Sequence, residues 1–371
     1  MASEAPPGDT RPAPLGDAGD AVLVVGGYGV VGSQVAALVR RRHPDLRLVV
    51  AGRSAEKAAR AAAGIGGATG AVVDVSRPHP LGDLRPLAVV SVVNDPGDHL
   101  LADAVSAGVP LLDVARWTDR VRGAAALLAT RTPAAPVLLS SGWMAGIAST
   151  VAAGLAQQLS AVEEIDISVL YSLKDKAGPD SAEYMDRLAT PFEVTIDGGT
   201  ERVRPLGDSR RIVFPGGREA KVYRFDTPDQ FTLPATTGAR TVAARIAFDD
   251  AFTTSLLALL VRSGLWKLIS GQRFTSLRRK LLYKPGPGAC HEVVIDVVGS
   301  DDAGARVARR ATISDPLGQT HLTAAATVIQ LERLLGLDGA SAPTGLVYPD
   351  TAPQLAAVDA LRDVGVTVAI D

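Results

Sequence analysis

Short apolar runs alternate with stretches of helical spacing over the first 140 residues. Each run has the length of a β-strand, and the stretch after it repeats apolar residues on one helix face. This alternation predicts βαβ units, and therefore an α/β domain with a doubly wound parallel sheet and right-handed crossovers. The predicted strands are residues 21–25, 47–51, 70–75, 87–93, 110–114 and 137–140. The predicted helices are residues 33–41, 55–63, 98–107 and 121–129.

The pattern changes after residue 146. A helix over 147–159 precedes strands without regular helices between them, which predicts an α+β second domain with a mostly antiparallel sheet. Its predicted strands are residues 164–171, 192–196, 211–214, 241–247, 291–298 and 307–314. An apolar helix over 251–269 interrupts these strands, and a long helix covers 322–335. A final helix over 353–364 and a strand over 366–370 are expected to return to the first domain.

These patterns divide the chain into four parts. Residues 1–19 are rich in Ala, Pro, Gly and Asp and have no apolar core, so we expect a disordered tail and no secretory signal. Residues 20–142 form the first domain, 143–321 the second, and 322–371 the C-terminal return. The length of 371 residues suits two domains. No uninterrupted apolar run approaches the ~18 residues that span a bilayer.

Composition excludes several classes of function. The formal net charge is −2 and no block of Lys or Arg occurs that would form a DNA-binding arm, so we expect no nucleic-acid partner. Cys290 is the one cysteine, and it cannot form an internal disulfide. The five histidines are scattered, which predicts no metal site. Because a chain without disulfides suits a reducing compartment, a cytoplasmic location is expected.

A glycine-rich turn follows the first predicted strand. Gly27, Gly29 and Gly32 match G-x-G-x-x-G, in the strand–turn–helix context that gives this motif its meaning. Gly27 permits the turn, Gly29 lets a pyrophosphate approach the backbone, and Gly32 lets the helix pack on the strand. The helix N-terminus then offers N–H groups to phosphates. The predicted dinucleotide-contacting residues of this loop are Gly27, Tyr28, Gly29, Val30, Val31 and Gly32. An ordinary βα turn without a ligand is the alternative.

Arg53 follows the second strand, 21 positions after Gly32. An acid is expected there when the partner is the ribose hydroxyl of NAD. A guanidinium and the hydroxyl of Ser54 suit a 2′-phosphate instead, which predicts NADP(H) as the cofactor. A solvated surface arginine is the alternative, and Ser54 is also a candidate helix cap.

Two further strand ends complete the predicted cofactor edge. Asp74 and Val75 end the third strand, where an acid can meet the adenine, although a plain turn explains them nearly as well. Asn94 and Asp95 follow the fourth strand, where the nicotinamide ribose would pass. Asx-Pro-Gly is also ordinary turn chemistry.

Hydride transfer requires alignment of the nicotinamide with the reacting carbon, together with a proton donor or a polarising group. The candidates for the proton are Asp113, His99, Tyr171 and Lys174. The candidates for contacting substrate are Arg116, Trp117, Trp143 and Met144. Capping, solvent exposure or core packing explains each of these residues at least as well when it is taken alone.

The stretch 251–284 combines apolar runs with seven basic residues. Such a segment can touch a membrane surface or an acidic carrier protein. Packing against its own domain or against a partner subunit is the more common role. A homodimer is expected.

Several segments resemble the NADP-binding domain of the saccharopine dehydrogenase-like family. They are 22–32, 51–54, 90–94, 107–115 and 142–146, and weaker similarity covers 171–184, 226–234 and 345–350. The resemblance implies a Rossmann domain, a nicotinamide cofactor and a substrate domain built on an antiparallel sheet. Ala145 stands where the family often has Pro, and Asp95-Pro-Gly-Asp98 replaces an apolar loop. These departures put the family's amino-acid reaction in doubt.

The resulting hypothesis is an NADPH-dependent oxidoreductase that reduces a C=N, C=O or conjugated C=C bond of a small metabolite, in bacterial secondary metabolism or amine metabolism. The family's substrates include secondary-amine amino acids, polyamine precursors and lipid or polyketide intermediates, so the resemblance leaves the substrate open. The alternative is a non-catalytic dinucleotide-sensing or scaffold protein on the same fold.

Overall fold

The computed structural model describes residues 18–176, 187–188, 190–269, 274, 286–339, 342–351 and 354–371. The first sheet consists of β1 (Ala21–Val25), β2 (Arg47–Gly52), β3 (Ala68–Val72), β4 (Ala88–Ser91), β5 (Leu111–Asp113), β6 (Pro136–Leu139) and β15 (Gly345–Val347), numbered along the chain. Its order is β15-β6-β5-β4-β1-β2-β3, and every pair of neighbours is parallel. The prediction of a doubly wound parallel sheet is confirmed.

Both faces of this sheet are covered, which explains its continuous apolar runs. Val22 and Val24 face one side, while Leu23 and Val25 face the other, as the two-residue period of a strand requires. The helices that connect these strands are α1 (Val30–Arg42), α2 (Ala55–Ile65), α3 (His99–Ala107) and α4 (Thr118–Ala129). Apolar residues of α3 and α4 share a core with Leu23 and Val25.

The second sheet is mixed. It consists of β7 (Ala161–Tyr171), β10 (Ser209–Val213), β11 (Glu219–Arg224), β12 (Thr241–Phe248), β13 (His291–Ser300), β14 (Arg306–Asp315) and β16 (Thr367–Ile370). The order is β10-β11-β12-β7-β13-β14-β16, and only β12 and β7 are parallel. A separate hairpin joins β8 (Phe192–Ile196) to β9 (Gly199–Val203). The mostly antiparallel second sheet is thus confirmed.

One continuous core joins the two sheets. The remaining helices are α5 (Trp143–Ala156), α6 (Asp229–Thr237), α7 (Ala251–Arg262), α8 (Gln319–Leu335) and α9 (Gln354–Asp363). Apolar residues of α1, α5, α8 and α9 pack together with Val24 of the first sheet and Ile167 of the second. These helices therefore form a layer that both sheets share.

The C-terminal segment divides between the sheets. β15 adds to the first sheet beside β6, as a return to that domain requires, but β16 pairs with β14 in the second sheet. The helix predicted over 251–269 ends at Arg262, because Gly264 adopts a left-handed conformation (φ +81°) and a 3-10 turn follows. The tail predicted over 1–19 lies outside the described residues up to residue 17.

Candidate functional site

The polar residues predicted at strand ends meet along one edge of the first sheet. The parallel register places Val25 beside Ser91, Ser91 beside Asp113, and Asp113 beside Leu139. The loops after β1, β4, β5 and β6 therefore leave the sheet side by side, at its carboxyl edge. Doubly wound sheets bind their ligands in the crevice at this edge.

The glycine loop is too tight for side chains. A Cβ on Gly32 would lie 2.2 Å from the carbonyl oxygen of Gly26, and one on Gly29 would lie 3.1 Å from the same atom. Gly26, which the motif did not include, has φ +86° and leaves no room for a Cβ against Val93. The sequence signal for Gly26 was the glycine pair Gly26-Gly27 directly after a buried strand. The loop's backbone therefore packs on itself and on the β4 loop.

Helix α1 begins at this loop without a side-chain cap. Gly29 is its N-cap residue, and no side chain hydrogen bonds there. Gly29 is exposed, and Val30 is 41% exposed despite being apolar. An uncapped helix start has unpaired N–H groups and a partial positive charge, which together favour an anion.

Tyr28 and Gly52 fit together at the end of β2. The Tyr28 ring occupies the space that a side chain at position 52 would fill, with its hydroxyl 2.7 Å from the ideal Cβ. The Ser54 backbone N–H donates to this hydroxyl at 3.3 Å. The Ser54 side chain accepts from the Lys57 N–H and caps α2, so its hydroxyl is engaged in the helix start.

Arg53 is exposed at the same strand end. Hydrogen bonds from Ser76 lower the pKa of the nearby Asp74 carboxyl. The positive charges of Arg77 and Arg53 lower this pKa further. Asp74 accepts from the Ser76 N–H at 3.1 Å and from its hydroxyl at 2.7 Å. The edge beside Tyr28 therefore carries a guanidinium next to a hydrogen-bonded carboxylate.

His99 and Val75 are tied to each other. His99 Nδ1 lies 3.1 Å from the Val75 carbonyl oxygen, which accepts only from a protonated nitrogen, so Nδ1 carries the hydrogen. Asp95 accepts from the His99 and Leu100 N–H groups and so caps α3. Burial raises the pKa of Asp95 in spite of these bonds. Asn94 is half-buried just before this cap.

An ion-pair network surrounds Arg116. Its Nε donates to Asp113 at 2.6 Å, and its Nη1 pairs with Asp98. Arg120 pairs with the same Asp98 oxygen at 2.7 Å. Burial disfavours the charge on Arg116, but Asp113 and Asp98 outweigh it and raise the pKa of Arg116. Asp113 and Arg116 thus bind each other at the site that sequence assigned to catalysis and to substrate.

Trp117 and the start of α4 join the first domain to the second. Trp117 is the N-cap residue of α4, and the guanidinium of Arg187 lies 5.2 Å above its ring. The Thr118 hydroxyl donates to Asp226 at 2.6 Å. Arg187 also pairs with Asp119 at 2.5 Å. These contacts fasten the β5 loop to the segment before α6.

Three consecutive residues at the start of α5 have left-handed backbone conformations. Their φ values are +47° at Met144, +51° at Ala145 and +77° at Gly146. The Ser140 hydroxyl donates to the Ala145 carbonyl at 2.7 Å and helps to hold this turn. Left-handed conformations cost energy for residues with a Cβ, so the surrounding structure must stabilise them. Met144 is buried there, whereas Trp143 is only partly buried.

Trp143 lies at the junction of the domains. Its ring stacks on Phe225 at 5.7 Å between centroids, and its backbone N–H donates to the Asp229 carboxylate at 2.9 Å. The Asp229 carboxylate occupies the space where a side chain at Gly142 would be. The pair Trp143 and Phe225 therefore forms an aromatic wall where the two domains meet.

Sequence reasoning missed two buried acids at this junction. Burial raises the pKa of Asp229, and it raises the pKa of Asp350 to about 6. The Thr236 hydroxyl donates to Asp350 at 2.9 Å. The charge of Asp229 raises the pKa of Asp350 further. Thr227-Pro228-Asp229 is a helix-start signal that marks α6, although Pro234 lies within the helix.

Tyr171 and Lys174 belong to the end of β7, in the second sheet. Tyr171 is half-buried, with its ring 5.9 Å from Phe248 and 6.1 Å from His291. Lys174 is exposed in the loop that follows. Burial lowers the pKa of His291 to about 3, so this ring is neutral at physiological pH.

The β7 loop contacts the start of α8, which in turn contacts α1. Asp175 accepts from the Gln319 N–H at 2.7 Å at the start of α8. The next residue, Thr320, accepts from the Gln34 side chain of α1 at 3.0 Å. The helices α1 and α8 therefore begin side by side, and Lys174 lies in the loop that contacts the start of α8.

The described part of the chain contains no group of three or more His, Cys, Asp or Glu side chains suited to a metal. Within those residues, none of the helices has the length and the apolar character needed to cross a membrane.

No protein-family model matches the chain, and no curated protein matches it. Among solved structures, apo saccharopine dehydrogenase (L-Glu forming) from Saccharomyces cerevisiae is similar, with a TM-score of 0.69, 15% identity, and coverage of 95% of this chain and 100% of that one. A myo-inositol dehydrogenase from Corynebacterium glutamicum aligns at a TM-score of 0.42 and 14% identity over 95% of this chain and 98% of that one. The chain therefore has the fold of saccharopine dehydrogenase, as the sequence resemblance implied.

Proposed function

We propose that this chain is an NADP(H)-dependent oxidoreductase that reduces a C=N, C=O or conjugated C=C bond of a small metabolite. The glycine loop with its uncapped helix start carries the proposal, because it can hold a pyrophosphate through backbone N–H groups alone. The fold shared with yeast saccharopine dehydrogenase supports it.

The position of Arg53 favours NADP(H) over NAD(H). This exposed guanidinium lies at the end of β2, where an acid would bind the ribose of NAD. The Asp74 carboxylate nearby is already hydrogen bonded to Ser76. A 2′-phosphate beside Tyr28 would gain a bidentate contact from Arg53.

Calorimetric titration with NADPH and NADH tests both parts of the proposal. Arg53→Glu should weaken NADPH binding by about tenfold or more, and NADH binding much less, because it replaces an attraction to the 2′-phosphate by a repulsion. Arg60→Glu is a matched control, since Arg60 is exposed further along α2. Equal weakening of both cofactors by Arg53→Glu would contradict the phosphate assignment. Failure of the wild-type protein to bind either cofactor would overturn the proposed function.

A second candidate function is dinucleotide sensing without turnover. The network around Arg116 favours it, because the Asp113 carboxylate and the Arg116 guanidinium are paired with each other. This candidate predicts NADPH binding but no NADPH oxidation with a panel of imines, ketones and enones. NADPH consumption that depends on any of these compounds would eliminate it.

A further inference from the structure

Helix α7 presents a row of large apolar side chains to solvent. Phe252 is 74% exposed, Leu256 42% and Leu259 63%. The spacings of four and three residues place all three on one helix face. Leu265, in the 3-10 turn that follows, is 53% exposed. These four side chains are called the α7 face below.

The opposite side of α7 already has its partners. Thr254, Leu257 and Ala258 are buried, and Leu257 packs with Trp266 and Phe248 of the second domain. The α7 face is therefore not needed to attach the helix to its own sheet. Isolated exposed apolar residues are ordinary, but an aligned row on one helix marks an interaction surface.

Asp250 caps the N-terminus of α7, and two basic side chains lie at the C-terminal end of the α7 face. Arg262 and Lys267 are exposed next to it. The sequence has no acidic residue between Asp250 and Glu292, whereas it has seven basic ones there. Since the whole chain has a formal net charge of −2 and this segment contributes +7, the rest of the chain carries −9. The sequence segment that contains the α7 face therefore carries a strong positive formal charge.

We propose that the α7 face docks on the surface of an anionic lipid bilayer. Apolar side chains on one face of a helix, flanked by Lys and Arg, are the chemistry that enters the headgroup region of such a surface. The basic residues add attraction to acidic headgroups, while Phe252 and Leu259 supply the insertion. A partner bound through charge alone, such as an acidic carrier protein, would leave the Phe252 ring, which is 74% exposed, without an apolar contact.

Co-sedimentation with extruded vesicles tests the proposal on the full chain. The wild-type protein should bind vesicles containing about 30% phosphatidylglycerol at low salt, and bind phosphatidylcholine vesicles at least about tenfold more weakly. Raising the salt to about 0.5 M should release most of the bound protein. Equal binding to both kinds of vesicle, or binding to neither, would overturn the proposal.

The double variant Phe252→Ser/Leu259→Ser should lose about tenfold or more of the vesicle binding. The matched control is Val213→Ser/Leu337→Ser, because these apolar residues are 58% and 46% exposed elsewhere on the surface. Circular dichroism would establish that both variants are folded. Unchanged vesicle binding by the α7 variant would refute the assignment, and so would light scattering that finds a dimer in the wild type and a monomer in the variant. Vesicle binding does not require a cofactor, so this test is independent of the proposed reductase activity.

Discussion

At Gly32 the first turn of α1 packs against the carbonyl oxygen of Gly26, the residue directly after β1. A methyl group there would lie 2.2 Å from the Gly26 oxygen and 2.8 Å from the Gly27 Cα, and both are backbone atoms that cannot move independently. Both the sequence motif and the packing therefore require glycine at position 32, because a Cβ there would clash with backbone atoms. The proposed approach of a pyrophosphate to this backbone depends on the compact form of the loop.

Gly32→Ala should therefore weaken NADPH binding by at least about tenfold and destabilise the protein by about 1–3 kcal/mol, the usual range for overpacking. Titration and thermal unfolding would measure the two effects. Gly64→Ala on α2 is the control, since a Cβ there meets nothing within 4 Å. It should leave binding unchanged and be neutral or slightly stabilising. Normal NADPH affinity in the Gly32 variant would disprove the tight-loop geometry.

Asp350 makes the stability of the protein depend on pH. Its pKa is raised from 3.8 to about 6 by burial, so the folded protein retains this proton after the unfolded chain has lost it. The stabilisation is complete below about pH 4 and is lost as the pH rises through about 6. Asp229, whose pKa burial also raises, acts in the same direction.

Asp350→Asn removes this titration but keeps the shape of the side chain. The unfolding free energy of the variant relative to wild type should rise by up to about 3 kcal/mol between about pH 4 and pH 7. Urea unfolding at several pH values measures the difference. Asp359→Asn is the control, because Asp359 is 75% exposed and forms only a surface pair with Arg362. A difference that stays constant with pH would contradict the burial of a protonated Asp350.

At the scale of elements, the left-handed turn at the start of α5 joins the two domains. Gly146 has φ +77°, and a Cβ there would lie 2.4 Å from the Pro349 ring. Thr150 donates to the Pro349 carbonyl at 2.9 Å, one turn further along the helix. The turn therefore fixes where α5 leaves the first sheet and where the C-terminal segment crosses it.

Gly146→Ala should destabilise the protein by about 2 kcal/mol or more, because it combines backbone strain with a clash. Denaturant unfolding would measure this loss. Gly123→Ala, in the exposed part of α4 with no atom within 4 Å of its Cβ, should cost nothing. Equal stability of the two variants would argue against the left-handed turn.

At the scale of the whole molecule, the two sheets share one core. Val24 of the first sheet and Ile167 of the second belong to the same apolar cluster, through α5 and α8. Arg42 of α1 also pairs with Glu332 of α8 at 2.6 Å. Domains joined in this way cannot unfold separately without exposing that cluster to water.

We therefore expect a single cooperative unfolding transition. The fluorescence of Trp117→Phe and of Trp266→Phe, which remove reporters from opposite domains, should give the same midpoint as far-ultraviolet circular dichroism. Saturation with NADPH at about 100 times its Kd should stabilise all probes equally, by about 2.7 kcal/mol. Two separate midpoints would indicate that the shared core does not couple the domains.

The sequence by itself determined most of the elements. The buried strand before the glycines, the capping residue Ser54, and the strands 291–298 and 307–314 carry their signals locally, because strand burial and helix starts depend on nearby residues. The glycine loop could be predicted for the same reason. It follows a strand and opens a helix, and both conditions are visible in one short segment.

Only the tertiary structure decided what surrounds that loop. The burial of the Asp113–Arg116 pair, the approach of Asp229 to Trp143 and the burial of Asp350 depend on contacts between segments far apart in sequence or on the exclusion of water. Local sequence patterns contain no information on such long-range contacts or on which side chains are shielded from water. β15 and β16 illustrate this at the level of elements: both are short, and the partner strand that each one finds places them in different sheets. A short strand is defined by its hydrogen-bonding neighbour more than by its own residues, so only the folded chain could assign it.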